Sequence, residues 1–146
     1  MSAVERRDAP TRPTAALSIA VAAGGAIGAL ARWGVDVAAG GGDALVWATV
    51  AINVGGSALL AALPALALVR RSAWWATALG PGVLGGFTTM SACAEQARAL
   101  IAEDRLAVAG GYLGATVLGG ALAVAIVHAM VRRRPTEPGG LREVRP

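Results

Sequence analysis

The chain reads as an all-α membrane protein with four transmembrane helices, the third of them broken near mid-membrane. Three observations predict this class. The first is where charge is missing. Only 15% of the 146 residues are charged, against about 25% in a soluble domain. Four stretches carry no charge at all: Pro13–Ala31, Ala44–Val69, Ser72–Ala94 and Leu106–Met130. About 18 or more apolar residues without charge are enough to cross a bilayer as a helix. Four such stretches leave no length for a soluble domain, which excludes hydrophilic enzymes. The second observation is that glycine and proline interrupt the third stretch, at Pro81-Gly82 and Gly85-Gly86. The third is that every basic residue is an arginine and most lie in tails and short connections. The pI near 11 therefore reports membrane orientation rather than a nucleic-acid partner.

The elements follow in order. Residues 1–13 are polar, contain Pro10 and Pro13, and are expected to be a disordered tail. The domain proper is 14–131. The first helix is expected over Thr14–Val37, with Arg32 and Asp36 near its far end, and Gly40–Asp43 as the turn after it. Ala29-Leu30-Ala31 resembles a signal cleavage site, but three further spans and the glycine content favour a retained span. The second helix is expected over Ala44–Val69, followed by a very short Arg70-Arg71 loop. The third runs from near Ser72 to about Ile101, with its break at the glycines. Glu103-Asp104-Arg105 connects to the fourth, Leu106–Val131, which Arg132-Arg133-Arg134-Pro135 stops. Residues 132–146 form a basic tail, also expected to be disordered.

Lipid gives helices no hydrophobic reason to associate, so small residues must permit close backbone approach. Gly24 with Gly28 and Gly110 with Gly114 have that spacing, and tight packing is expected to explain most of the 20 glycines. Ten arginines fall on the side of both tails and three (Arg32, Arg98, Arg105) toward the other. That bias places both termini in the cytoplasm of a multi-pass protein of the plasma membrane.

Polar side chains within the spans are the candidates for chemistry. Thr49, Asn53 and Ser57 are spaced by four and share one helix face. The run Gly85-Gly86-Phe87-Thr88-Thr89-Met90-Ser91 places three hydroxyls beside the expected break. Freed carbonyls there can hold a cation, and hydroxyls and amide N–H groups can face an anion. Tyr112 and Thr116 share a face of the fourth helix. Cys93 is the single cysteine and His128 the single histidine, so neither a disulfide nor a zinc cluster is expected, and His128 reads as interfacial. Glu95, Gln96 and Arg98 read as a solvated helix end. The first span has no mid-membrane carboxylate, as a small multidrug-type proton-coupled transporter would need. The buried set is a neutral, hydrogen-bond-donating track suited to a small, strongly hydrated anion, whose lost hydration in low dielectric amounts to tens of kcal/mol.

These residues resemble the CrcB/Fluc fluoride channel family over all four spans, roughly Gly24–Val131. Gly28-Ala29-Leu30-Ala31-Arg32-Trp33 is similar to the family's first-helix pattern. Thr49–Ser57 is similar to the second-helix pattern around a pore asparagine, and Gly82–Ser91 to the third-helix signature. The resemblance implies an antiparallel, dual-topology dimer with two fluoride pores and a structural sodium ion at its centre. It implies that Asn53, Ser91, Tyr112 and Thr116 face the anion, to which the hydroxyl run adds Thr89, and that Arg32 stands at the pore mouth. It further implies that Gly85 and Thr88 give backbone carbonyls to sodium.

The chain departs from the family at two positions. The signature's two phenylalanines, whose ring edges are suited to an anion, are replaced here by Met90 and Cys93. Together with the arginine bias, this points to one half of a heterodimer whose partner has the opposite bias and supplies the phenylalanines; otherwise the dimer is of like chains. The expected function is passive fluoride export from the cytoplasm, without catalysis. The rival readings are a proton-coupled transporter and a non-conducting assembly or regulatory subunit.

Overall fold

A computed structural model describes residues 15–132. The tails 1–13 and 132–146 lie outside the described residues, save Arg132. Every regular element among the described residues is helical: α1 (Ala15–Ala39), α2 (Gly42–Ala62), a 3₁₀ turn (Leu63–Ala65), α3 (Ala67–Arg71), α4 (Ala73–Thr77), a π-helical segment (Ala78–Leu84), α5 (Gly85–Phe87), α6 (Met90–Ala102) and α7 (Leu106–Arg132). Ala15–Ala39, Gly42–Ala65 and Leu106–Arg132 are each long and apolar enough to cross a membrane. Their outer faces are apolar too: Leu118 is 71% and Ile19 64% exposed. Such faces belong against lipid, and the protein is a multi-pass membrane protein.

Three boundaries differ from the sequence expectation. The turn after α1 is shorter than Gly40–Asp43. Gly40, at φ 82°, reverses the chain, and α2 already begins at Gly42 with Asp43 in its first turn. The second helix does not continue to Val69. Pro64 lacks the N–H that would bond the Leu60 carbonyl, and its ring crowds that carbonyl. The helix therefore tightens to a 3₁₀ turn, becomes extended at Leu66 (ψ 125°), and Arg70-Arg71 end the separate α3 instead of forming a loop.

The break also lies elsewhere than expected. Gly85-Gly86 remain helical, Gly85 at φ −65°, ψ −35°. The chain instead becomes extended at Thr88 (ψ 154°) and Thr89 (φ −147°, ψ 118°). Pro81 does not break the helix either. It lies within the π-helical segment, whose wider turn accommodates a proline ring that an α-helix would not.

The reason the glycines stay helical is packing. α1 lies along α4, the π-helical segment and α5, while α2 lies along α7, and α6 packs on α7 and α2. A Cβ at Gly28 would meet the Val83 carbonyl and lie 2.8 Å from the Phe87 nitrogen. Gly24 meets the Ala78 carbonyl, and Gly86 meets the carbonyl of Gly25. The first small-residue pair is thus a true contact face, answered by Gly82 and Gly86. The second is not: nothing lies within 4 Å of a Cβ at Gly110 or Gly114. Tight packing accounts for fewer of the glycines than expected, since Gly34 and Gly55 are equally open.

At the end opposite Ala15 and Arg132, α6 closes with a Schellman arrangement. Asp104 adopts φ 58°, the Arg105 N–H donates to the Leu100 carbonyl at 2.9 Å, and the Asp104 N–H to Ile101 at 3.1 Å. Arg105 then pins the connection to the start of α2 through Asp43, at 2.7 and 2.9 Å. The Asp43 carboxylate, hydrogen-bonded to it, raises the guanidinium above its ordinary pKa.

Candidate ion pathway

An interrupted helix leaves its last carbonyls and the next helix's first N–H groups without partners. Here those are the carbonyls of Gly85 to Thr88 and the N–H groups from Thr89 onward. Asn53 of α2 meets this need directly. Thr89 N–H donates to Asn53 Oδ1 at 2.9 Å, and Asn53 Nδ2 donates to the Thr89 carbonyl at 3.0 Å. The backbone partners fix which way the amide points. One Nδ2 hydrogen is left over, without a partner among the described residues. Thr89 caps α6, its Oγ1 accepting from Ala92 N–H at 3.1 Å.

On the other side of the break, Arg32 Nε of α1 donates to the Gly86 carbonyl at 3.5 Å, and its Nη1 lies 3.5 Å from Asp36. The carbonyls of Gly85, Phe87 and Thr88 accept no hydrogen bond from any described residue. The backbone thus opens at Thr88-Thr89, three residues beyond the glycines, while carbonyls without a donor begin already at Gly85.

Several hydroxyls are already committed. Thr49 donates to Leu45, Ser57 to Asn53, Thr88 to Leu84 and Thr116 to Tyr112, each to the carbonyl four residues back. Thr89 and Ser91 differ: their hydroxyl oxygens lie 3.3 Å apart, so one proton remains for a ligand when the other is shared.

Asn53, Gly85, Thr88, Thr89, Met90 and Thr116 border one open cavity of about 760 Å³ between α2, α7 and the broken segment. Its walls carry no ionisable side chain. Three expected residues lie elsewhere. Arg32 approaches the break from the α1 side. Ser91 is exposed on the first turn of α6, outside the cavity wall. Tyr112 is 0% exposed and sits in the core with Val46, Cys93, Ala97, Leu100 and Ala109. The two substituted positions also separate: Met90 is 77% exposed, whereas Cys93 is 2% exposed beside Tyr112.

Sequence reasoning missed Gln96. It is not a solvated helix end: the Tyr112 hydroxyl donates to Gln96 Oε1 at 2.7 Å. The available signal was its place one turn after Cys93, on the α6 face that packs inward. Glu95 and Arg98 do face outward, paired with each other at 2.6 Å.

The family model described as CrcB-like protein, Camphor Resistance (CrcB), matches residues 19–128. The chain is 38% identical over 114 residues to Fluoride-specific ion channel FluC 1 of Halobacterium salinarum, covering 78% of this chain and 92% of that one. It is 39% identical over 107 residues to Fluoride-specific ion channel FluC of Paracoccus denitrificans, covering 72% and 86%. It is 41% identical over 128 residues to Fluoride-specific ion channel FluC 2 of Thermobifida fusca, covering 79% and 94%. The match spans α1, α2, the broken segment and nearly all of α7, and by it the chain belongs to the CrcB family.

Proposed function

We propose that the chain is one subunit of a fluoride-selective channel that exports fluoride from the cytoplasm by passive electrodiffusion. The observation that carries this reading is the kinship: the relatives described above are named fluoride-specific ion channels. They are named as channels, not as enzymes or coupled transporters. The local chemistry agrees. Fluoride entering low dielectric must exchange its water for other donors. The spare Asn53 N–H and the Thr89–Ser91 hydroxyl pair are uncharged donors beside the break. A cavity wall without carboxylates gives a proton-coupled mechanism nothing to titrate.

In this reading four spans cross the plasma membrane, the segment from α4 to α6 being the broken third, and both termini are cytoplasmic. The functional unit is an antiparallel dimer. Gly85 and Thr88 would hold a sodium ion at its centre, which fits carbonyls that lack donors among the described residues. Bound there, sodium would supply fixed positive charge and tie the subunits together. Thr116 continues the cavity wall along α7, Tyr112 backs it from the core through Gln96, and Arg32 approaches the break from the α1 side.

The partner is taken to be an unlike subunit. Met90 and Cys93 give no aromatic edge, and the arginine bias disfavours insertion in both orientations. The test is fluoride efflux from liposomes, with chloride as control. The chain alone should conduct little, and the chain with an oppositely biased family partner should release fluoride selectively. Rapid efflux from the chain alone would end the heterodimer proposal. Absence of selective efflux from the folded, paired assembly would end the channel reading.

A further inference from the structure

We propose that the arginine-rich end of the molecule carries a binding site for one anionic phospholipid. The site joins an apolar groove to an anchored cation. The groove has a volume of about 310 Å³ and is lined by Leu59, Leu63, Leu66, Leu79 and Val83 with two further apolar residues, and by no polar side chain. It exists because Pro64 ends α2: the chain turns away there, and Leu63 and Leu66 come to border it beside Leu79 and Val83.

Arg70 is anchored on the turn whose flanking residues, Leu63 and Leu66, line this groove. Its Nη1 donates to the carbonyls of Pro64 at 3.4 Å and Ala65 at 3.1 Å, the two residues between Leu63 and Leu66. Its Nε and Nη2 have no partner among the described residues. Arg71 follows it, exposed, and neither arginine has a carboxylate within ion-pair distance among the described residues. Trp74 and Trp75, half-exposed and edge to face at 4.8 Å, mark the same corner as the level of the lipid headgroups.

The opposite end offers no such site. Arg32, Arg98 and Arg105 are each paired there, with Asp36, Glu95 and Asp43. Two guanidinium groups without a carboxylate partner among the described residues, beside an apolar groove, call for a ligand with a phosphate at one end and a hydrocarbon chain at the other. A net negative headgroup satisfies both arginines, which a zwitterionic one does not. The site is independent of the channel reading.

The test is native mass spectrometry of the full chain, offered phosphatidylglycerol and phosphatidylcholine together in detergent. The native chain should retain phosphatidylglycerol preferentially. Arg70→Ala should lower that preference about fivefold, and Arg71→Ala by a similar factor. Arg70→Lys with Arg71→Lys should keep it, which separates charge from folding. Leu79→Trp, filling the groove, should reduce retention of both lipids. Equal retention of the two lipids by the native chain overturns the proposal, as does a preference that survives the double alanine variant. So does a Leu79→Trp variant that weakens subunit association and leaves lipid retention unchanged, because the groove is then a subunit contact.

Discussion

Both ends of the Asn53 amide are committed to Thr89, so this one side chain replaces two hydrogen bonds that the break removes from the helix. Asn53→Ala leaves a donor and an acceptor unpaired in a low-dielectric setting, and stability should fall by about 2–4 kcal/mol. Asn53→Asp keeps the acceptor for Thr89 N–H but sets a carboxylate oxygen against the Thr89 carbonyl and a negative charge in low dielectric. It should be no more stable than the alanine variant at neutral pH and should abolish fluoride efflux. Thermal unfolding in detergent, set beside liposome flux, checks both. A second pair concerns the lost phenylalanines. Cys93 is closed in by Val46, Ala97, Leu100, Ala109 and Tyr112, so Cys93→Phe must overpack that core at a cost of about 1–3 kcal/mol. Met90 is exposed, and Met90→Phe should change stability by less than about 0.5 kcal/mol. Equal stability of the two variants would contradict the core position of Cys93.

At the scale of the elements, the helical hairpins were legible in the sequence because lipid-facing helices need apolar runs and little else. Breaks are harder to read. Composition marks every weak point in the ladder, but tertiary contacts decide which one yields. Gly85-Gly86 looked weakest, yet Gly86 is needed as a helical contact on Gly25. The chain yields at Thr88-Thr89, where Asn53, 36 residues away, satisfies the opened backbone. Pro64 was a legible stop that a run of leucines concealed. The same principle divides the glycine pairs, since spacing permits close approach without showing which helix approaches. Gly28→Ala should therefore be severe, costing about 2 kcal/mol or more, because its Cβ meets backbone that cannot rotate away. Gly114→Ala, with open space around it, should cost the isolated subunit less than about 0.5 kcal/mol. Comparing their unfolding temperatures as monomers tests the packing. A loss confined to the dimer for Gly114→Ala would place that face at a subunit contact.

Across the whole molecule, charge is separated end to end. Among the described residues, the α1–α2 and α6–α7 connections and their flanks hold Arg32, Arg98 and Arg105, each neutralised by a carboxylate. The other end holds Arg70, Arg71 and Arg132, and none of these pairs with a carboxylate among the described residues. With the tails counted, the arginine ratio is ten to three. Arginine in short loops and flanks sets orientation, so the native chain should insert one way only and need a differently encoded partner to complete an antiparallel pair. Cys93 makes this measurable: it is 2% exposed, and so silent to a membrane-impermeant maleimide. A Ser2→Cys tag should then react from the cytoplasmic side alone. Replacing Arg70, Arg71, Arg132, Arg133 and Arg134 by Gln leaves five arginines against three, and a second population, labelled from outside, should appear. If the native chain already labels comparably from both sides, it can pair with itself, and the missing phenylalanines must then be dispensable to the pore.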